Sequence, residues 1–138
     1  MPDPSLNIGQ AALQSGLSAK MIRHYEAIGL LPPAPRTASG YRLYGAQAME
    51  TLGFIKGAKA LGFDLEAIAQ LLALRRDPRR ASADVQALTR QHIAMLNERI
   101  DTLVALRDSL GALAEQCQGN ASPQCAILDE LSAGALER

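Results

Sequence analysis

The sequence predicts a mainly α-helical chain: a winged helix-turn-helix domain, then one long helix that pairs as a coiled coil, then a short loop and a terminal helix. Three observations carry that prediction. Two short apolar-periodic segments near the amino end are each closed by glycine, three prolines and a Ser-Gly turn then interrupt the helical pattern, and a leucine stripe recurs between Ser82 and Gln116. The implied boundaries are 1–75 for the winged domain, 76–116 for the linker and long helix, and 117–138 for the loop and last helix.

The first helix spans Asn7 to Gln14, with Ile8, Ala11, Ala12 and Leu13 on one face and Gly16 ending the pattern. Ser18 then offers an N-cap for a second helix from Ala19 to Ile28, which carries Met21, Ile22, Tyr25 and Ile28 at helical spacing and stops at Gly29. Two short helices across a glycine-containing turn make a helix-turn-helix. Pro32, Pro33 and Pro35 forbid further helix, and Tyr41-Arg42-Leu43-Tyr44 after the Ser39-Gly40 turn has strand character, so this segment reads as a β-hairpin wing. A helical pair follows at Ala46–Leu61 and Asp64–Arg75, and Asp77-Pro78 marks the next break. Ser82 caps the long helix, with Asp84 in its first turn. Leu96, Leu103, Leu110 and Cys117 recur every seven residues there, and Ile93, Ile100, Leu106 and Leu113 widen the stripe. So short a chain has little with which to cover such a stripe, which implies a homodimer through a parallel or antiparallel coiled coil.

At 138 residues the chain suits one small domain with a helical appendage rather than a large catalytic core. Lys and Arg number 14, as do Asp and Glu, so net charge does not point to a polyanionic partner. Their distribution does. Lys20, Arg23, Arg36, Arg42, Lys56 and Lys59 outnumber the acids before Ala60, and acids gather towards the carboxy end. Neither a signal peptide after Met1-Pro2-Asp3-Pro4 nor a membrane span is visible, which gives the cytoplasm as the expected location, where thiols stay reduced.

A second helix of a helix-turn-helix normally enters the major groove, where Lys20, Arg23 and Tyr25 can reach phosphates and guanine edges. In the wing, Arg36, Tyr41, Arg42 and Tyr44 alternate charge with aromatic surface and suit the sugar-phosphate backbone. The competing reading is a solvated cationic face with Tyr41 and Tyr44 packed in a core. His24 reads as a packing or phosphate-contact residue rather than a metal ligand.

Taken together, Ile22-Arg23-His24-Tyr25-Glu26, Gly29-Leu30-Leu31, Arg36 and Gly40-Tyr41-Arg42-Leu43-Tyr44 closely resemble the amino-terminal signature of the MerR family of regulators. The likeness continues through Ile55 to Leu72, with the Leu61-Gly62-Phe63 turn and Ile68, and covers essentially the whole chain. It implies a winged helix-turn-helix DNA-binding domain, an antiparallel dimerisation helix, and double-stranded promoter DNA with a long spacer as partner. It further implies that the promoter is distorted on effector binding so that RNA polymerase can use it.

Cys117 and Cys125 flank a loop in which Gly119 and Asn120 permit a tight turn. Ser122 reads as an N-cap, Pro123 as the first helical residue and Cys125 as a first-turn residue, whose thiolate the helix end would stabilise. Two thiolates poorly suit zinc, which takes four ligands, but they satisfy a soft monovalent ion. The arrangement is similar to the metal-binding loop of copper-efflux regulators within the MerR family, which assigns Cys117 and Cys125 as ligands of Cu(I), or of Ag(I) or Au(I). Ser82 agrees, because divalent-ion sensors of that family usually carry cysteine at the start of the dimerisation helix and monovalent-ion sensors carry serine. Gln118 after the first cysteine and Pro123 before the second depart from the copper pattern and are similar to gold-responsive relatives, so the loop leaves copper, silver and gold unranked, and copper leads by physiological availability alone.

Catalysis finds no support, since the chain has no Cys-x-x-Cys, phosphate-cradling glycine loop or nucleophile with local context. A thiol-redox regulator of the same fold, closing a Cys117–Cys125 disulfide, and a divalent-metal sensor are the alternatives.

Overall fold

A computed structural model describes residues 5–134, so the reading of Met1 to Pro4 lies outside the described residues. Among the described residues six helices run in the order α1 (Ile8–Ser15), α2 (Ala19–Ala27), α3 (Ala46–Ala60), α4 (Leu65–Arg76), α5 (Ser82–Gln116) and α6 (Ala126–Ala133). The fold is mainly helical, as the periodicity requires. The chain divides into two compact units, Met1–Leu88 and Thr89–Arg138.

Helix ends in the first unit follow local chemistry. Asn7 precedes α1 as its N-cap: its side chain accepts from the Gln10 amide at 2.8 Å, and the Gln10 side chain accepts from the Asn7 amide at 3.0 Å, satisfying two otherwise orphaned donors. At the other end Gly16 takes φ +74°, and Lys56 Nζ donates to the Ser15 carbonyl at 3.2 Å, so a side chain at Gly16 would be both strained and in collision with that ammonium. Ser18 and Asp64 cap α2 and α4 by accepting from Met21 and Ala67.

α1 packs on α2 and α3, and α3 on α4. Between them Ala11, Ile22, Tyr25, Leu30, Leu31, Tyr44, Leu52, Ile55, Ala58, Ile68 and Leu72 form one buried cluster. Each large aliphatic member withdrawn from water contributes about 1.5–3 kcal/mol.

The wing differs from the expected hairpin. Among the described residues it contains no strand, only isolated antiparallel bridges at Arg36–Arg42 and Leu6–Tyr44. Pro32, Pro33 and Pro35 lack the N–H groups a ladder needs, so the segment is held by a few bonds: Leu43 N to Pro35 O at 2.8 Å, Thr37 N to Tyr41 O at 2.8 Å, and the reciprocal Leu6–Tyr44 pair at 2.8 and 2.7 Å.

In the second unit the apolar stripe of α5 stands open. Ile100, Leu103, Leu106 and Leu110 are 55%, 64%, 55% and 56% exposed, while Leu113 and His92 are buried. The helix starts at Ser82 itself, which is exposed, so Ser82 is its first residue rather than its cap. Among the described residues no helix is long and apolar enough to cross a membrane.

Candidate functional site

The first candidate site lies on α2 and the wing. Lys20 and Arg23 are exposed on α2, beside exposed His24, and Arg36 and Tyr41 are exposed on the wing. Tyr41 is 69% exposed near the turn at Gly40, whose φ is +88°. Arg36 donates from its guanidinium to the Gly40 carbonyl at 3.1 Å, which braces the turn while the side chain stays in solvent.

Tyr25 and Tyr44, grouped with these residues in the sequence reading, do not share that exposed surface. Both are fully buried, and neither hydroxyl finds a hydrogen-bond partner among the described residues. Tyr25 shares the apolar face of α2 with Ile22, and Lys59 Nζ lies 5.7 Å from the centre of its ring. Tyr44 is drawn inward by its paired bonds to Leu6. Burial pushes the Tyr44 phenol above its ordinary range, the Glu26 carboxylate adds to this, and Arg42, Arg23 and Arg36 oppose it. Both rings therefore build the platform beneath the cationic face.

Arg42 is only partly exposed. Its Nε lies 2.8 Å from Glu26 Oε2, with side-chain exposures of 30% for Arg42 and 10% for Glu26. The sequence reading passed over Glu26, whose one available signal was an acid among the bases of the second helix.

The second candidate site is the thiol pair. Cys117 and Cys125 are free, partly buried cysteines with Sγ atoms 3.6 Å apart. A disulfide bond is about 2.05 Å long. Two sulfurs each bonded at about 2.3 Å to one ion can stand up to about 4.6 Å apart, so the two thiols are close enough to share a metal. Among the described residues no group of three or more His, Cys, Asp or Glu side chains gathers as a metal site.

The loop brings the thiols together by local means. Gly119 takes φ +65°, the Asn120 side chain accepts from the Ser122 amide at 2.9 Å, and Ser122 Oγ accepts from the Gln124 amide at 3.3 Å. Ser122 is therefore committed to a turn and is not the cap of α6, and Pro123 precedes the helix. Cys125 itself occupies the N-cap position, with extended φ −147° and ψ 117°. Its side chain closes no capping hydrogen bond of ordinary geometry, yet the Leu128 amide, followed by the Cys117 thiol, lowers its pKa, against desolvation and the Asp129 charge. The helix end thus favours thiolate at Cys125, which stands at the N-cap, three positions earlier in the helix than the sequence reading of Ser122 as cap implied.

Residues 7–44 match the family model described as "MerR family regulatory protein", and residues 49–113 match that described as "MerR, DNA binding". The chain is 46% identical over 132 residues to the heavy metal-dependent transcription regulator 2 of Rhizobium meliloti, covering 96% of this chain and 90% of that protein. It is 42% identical over 127 residues to the HTH-type transcriptional regulator CueR of Salmonella typhimurium, covering 92% of each. The crystal structure of the transcription regulator PbrR691 from Ralstonia metallidurans CH34, in complex with lead(II), superposes with a TM-score of 0.80 at 32% identity, covering 91% of this chain and 98% of that one. With both family models matched in register with the helix-turn-helix, wing and long helix described above, the chain belongs to the MerR family of DNA-binding transcriptional regulators.

Proposed function

We propose that the protein is a metal-responsive transcriptional activator that binds promoter DNA as a homodimer and senses Cu(I), with Ag(I) and Au(I) as ions of the same chemistry, through Cys117 and Cys125. The observation that carries this reading is the pair of free thiols 3.6 Å apart, one of them at the amide end of α6. Two thiolates supply two negative charges and two soft donors. That set satisfies a monovalent ion of low coordination number and leaves a divalent ion short of ligands. Ser82 supports the same selectivity, since its hydroxyl adds neither charge nor a soft donor. Similarity to a regulator named as heavy metal-dependent supports a metal signal. Similarity to a lead(II)-bound regulator keeps a divalent ion as the reading to be tested against.

The open stripe of α5 supports an antiparallel coiled-coil dimer, which would cover Ile100, Leu103, Leu106 and Leu110. Lys20, Arg23, Arg36, Tyr41 and Arg42 carry the DNA contacts, residues 1–75 forming the reading domain, 76–116 the linker and dimer helix, and 117–138 the sensor. The output is a change in promoter shape that RNA polymerase exploits at metal-efflux genes. Such a regulator works in the cytoplasm, where both thiols are reduced.

The test is promoter activation by reduced protein across chelator-buffered Cu(I), Ag(I), Au(I), Zn(II) and Pb(II). Activation confined to the monovalent ions, lost in Cys117→Ser and Cys125→Ser with promoter binding retained, is the expected result. Equal activation by Pb(II) or Zn(II) would transfer the reading to a divalent sensor. Activation by oxidant without metal would transfer it to thiol redox.

A further inference from the structure

Glu26 sits in the last turn of α2, where a carboxylate meets the negative end of the helix dipole and is locally unfavourable. Its side chain is nevertheless only 10% exposed. Partners explain the conflict. Oε2 lies 2.8 Å from Arg42 Nε, and Oε1 accepts from the Ala34 backbone amide at 2.8 Å.

Those two partners lie on opposite arms of the wing. Ala34 is on the incoming arm, between Pro33 and Pro35, and is the one residue of 32–35 that owns a backbone N–H. Arg42 is on the outgoing arm, bridged to Arg36. One carboxylate therefore holds both arms against the end of the recognition helix. Because it engages Arg42 through Nε, the terminal amino groups of the same guanidinium are left for a second acceptor such as a phosphate.

We propose that Glu26 is a positioning residue for DNA recognition: it fixes the wing relative to α2, so that the base-facing cations of the helix and the phosphate-facing groups of the wing meet one duplex at one spacing. As an anion beside a DNA-facing surface, Glu26 can only lower the general electrostatic attraction. Its benefit is geometric, and it falls on specific binding, which needs helix and wing seated together, rather than on non-specific binding, which needs only charge.

This inference rests on the reading of α2 and the wing as the DNA-contacting face. The probes are a duplex selected by the full-length wild-type protein from a random-sequence pool, and poly(dI-dC) as non-specific competitor, at fixed salt. Glu26→Ala is expected to reduce the ratio of specific to non-specific affinity at least about tenfold, with non-specific affinity unchanged or raised. Glu26→Gln, whose amide oxygen still accepts from Ala34 but has no charge for Arg42, should fall between. Thermal unfolding of each variant identifies simple loss of fold, and should Glu26→Ala fail to fold, the Gln variant and a double-mutant cycle with Arg42→Gln carry the measurement. An unchanged ratio, with both affinities rising or falling together, would overturn the positioning role. Failure of the wild-type protein to select any duplex would instead overturn the DNA-contact reading beneath it.

Discussion

Between Met1 and Leu88 the side chains of Ile22, Leu31, Leu52, Ile55 and Ile68 are withdrawn completely from water, whereas between Thr89 and Arg138 Ile100, Leu103, Leu106, Leu110, Leu128 and Leu131 are all more than half exposed. The residue types are the same. The difference lies in whether neighbouring elements can fold over them: α1 to α4 are short helices joined by glycine and proline turns, while α5 is one uninterrupted rod of 35 residues. The first unit buries a core of its own, although Leu13 and Leu61 stay exposed on it. The second leaves an apolar face that only another surface can cover, and such faces mark sites of association.

That contrast is most severely tested by Leu103→Glu. In a dimer seam the substitution buries an unpaired charge at a cost of several kcal/mol, about 3–5, while in an isolated helix it would be harmless. Sedimentation should show dissociation with the secondary structure of the first unit retained, and a stable, DNA-competent dimer would break the comparison.

A smaller effect sharpens the other side of it. Arg23→Ala and Arg36→Ala should each lower the salt slope of DNA binding by about one, because both side chains are exposed cations. Arg42→Ala should lower it by less, since Glu26 already offsets part of that charge. Equal slopes for all three variants would show that the Glu26 pair opens on DNA.

Tyr44→Phe should do least. Removing a buried hydroxyl that lacks a partner leaves DNA affinity unchanged and thermal stability equal or raised, the orphaned group costing about 1–3 kcal/mol where it is truly dry. A loss of DNA affinity with unchanged stability would return Tyr44 to the interface.

What could be read from the sequence was whatever depends on near neighbours. Ser18, Asp64, Gly16 and Gly29 punctuate the helices because capping and positive φ are decided within a few residues. The thiol pair was legible for the same reason, since a short loop determines its closure. The start of the last helix was placed three residues too early because Ser122 had two local uses, helix cap and turn, and the Asn120 and Gln124 bonds decided for the turn. Tyr25 carried two signals at once, an apolar position on α2 and a phenol beside two cations, and packing prevailed. Glu26 and Arg42 are sixteen residues apart, and nothing in their spacing announces the pair.

The proline-rich arm of the wing has one further consequence. A hairpin tied by isolated bridges is free to slip, because a shift of one residue trades one backbone donor for another at little cost. Here the trade is closed off. If the arm slid one step in either direction past Glu26, the carboxylate would face Pro33 or Pro35, neither of which has a proton to give. The missing donors thus act as an error check: of the neighbouring alignments, only the one that presents Ala34 satisfies the buried oxygen.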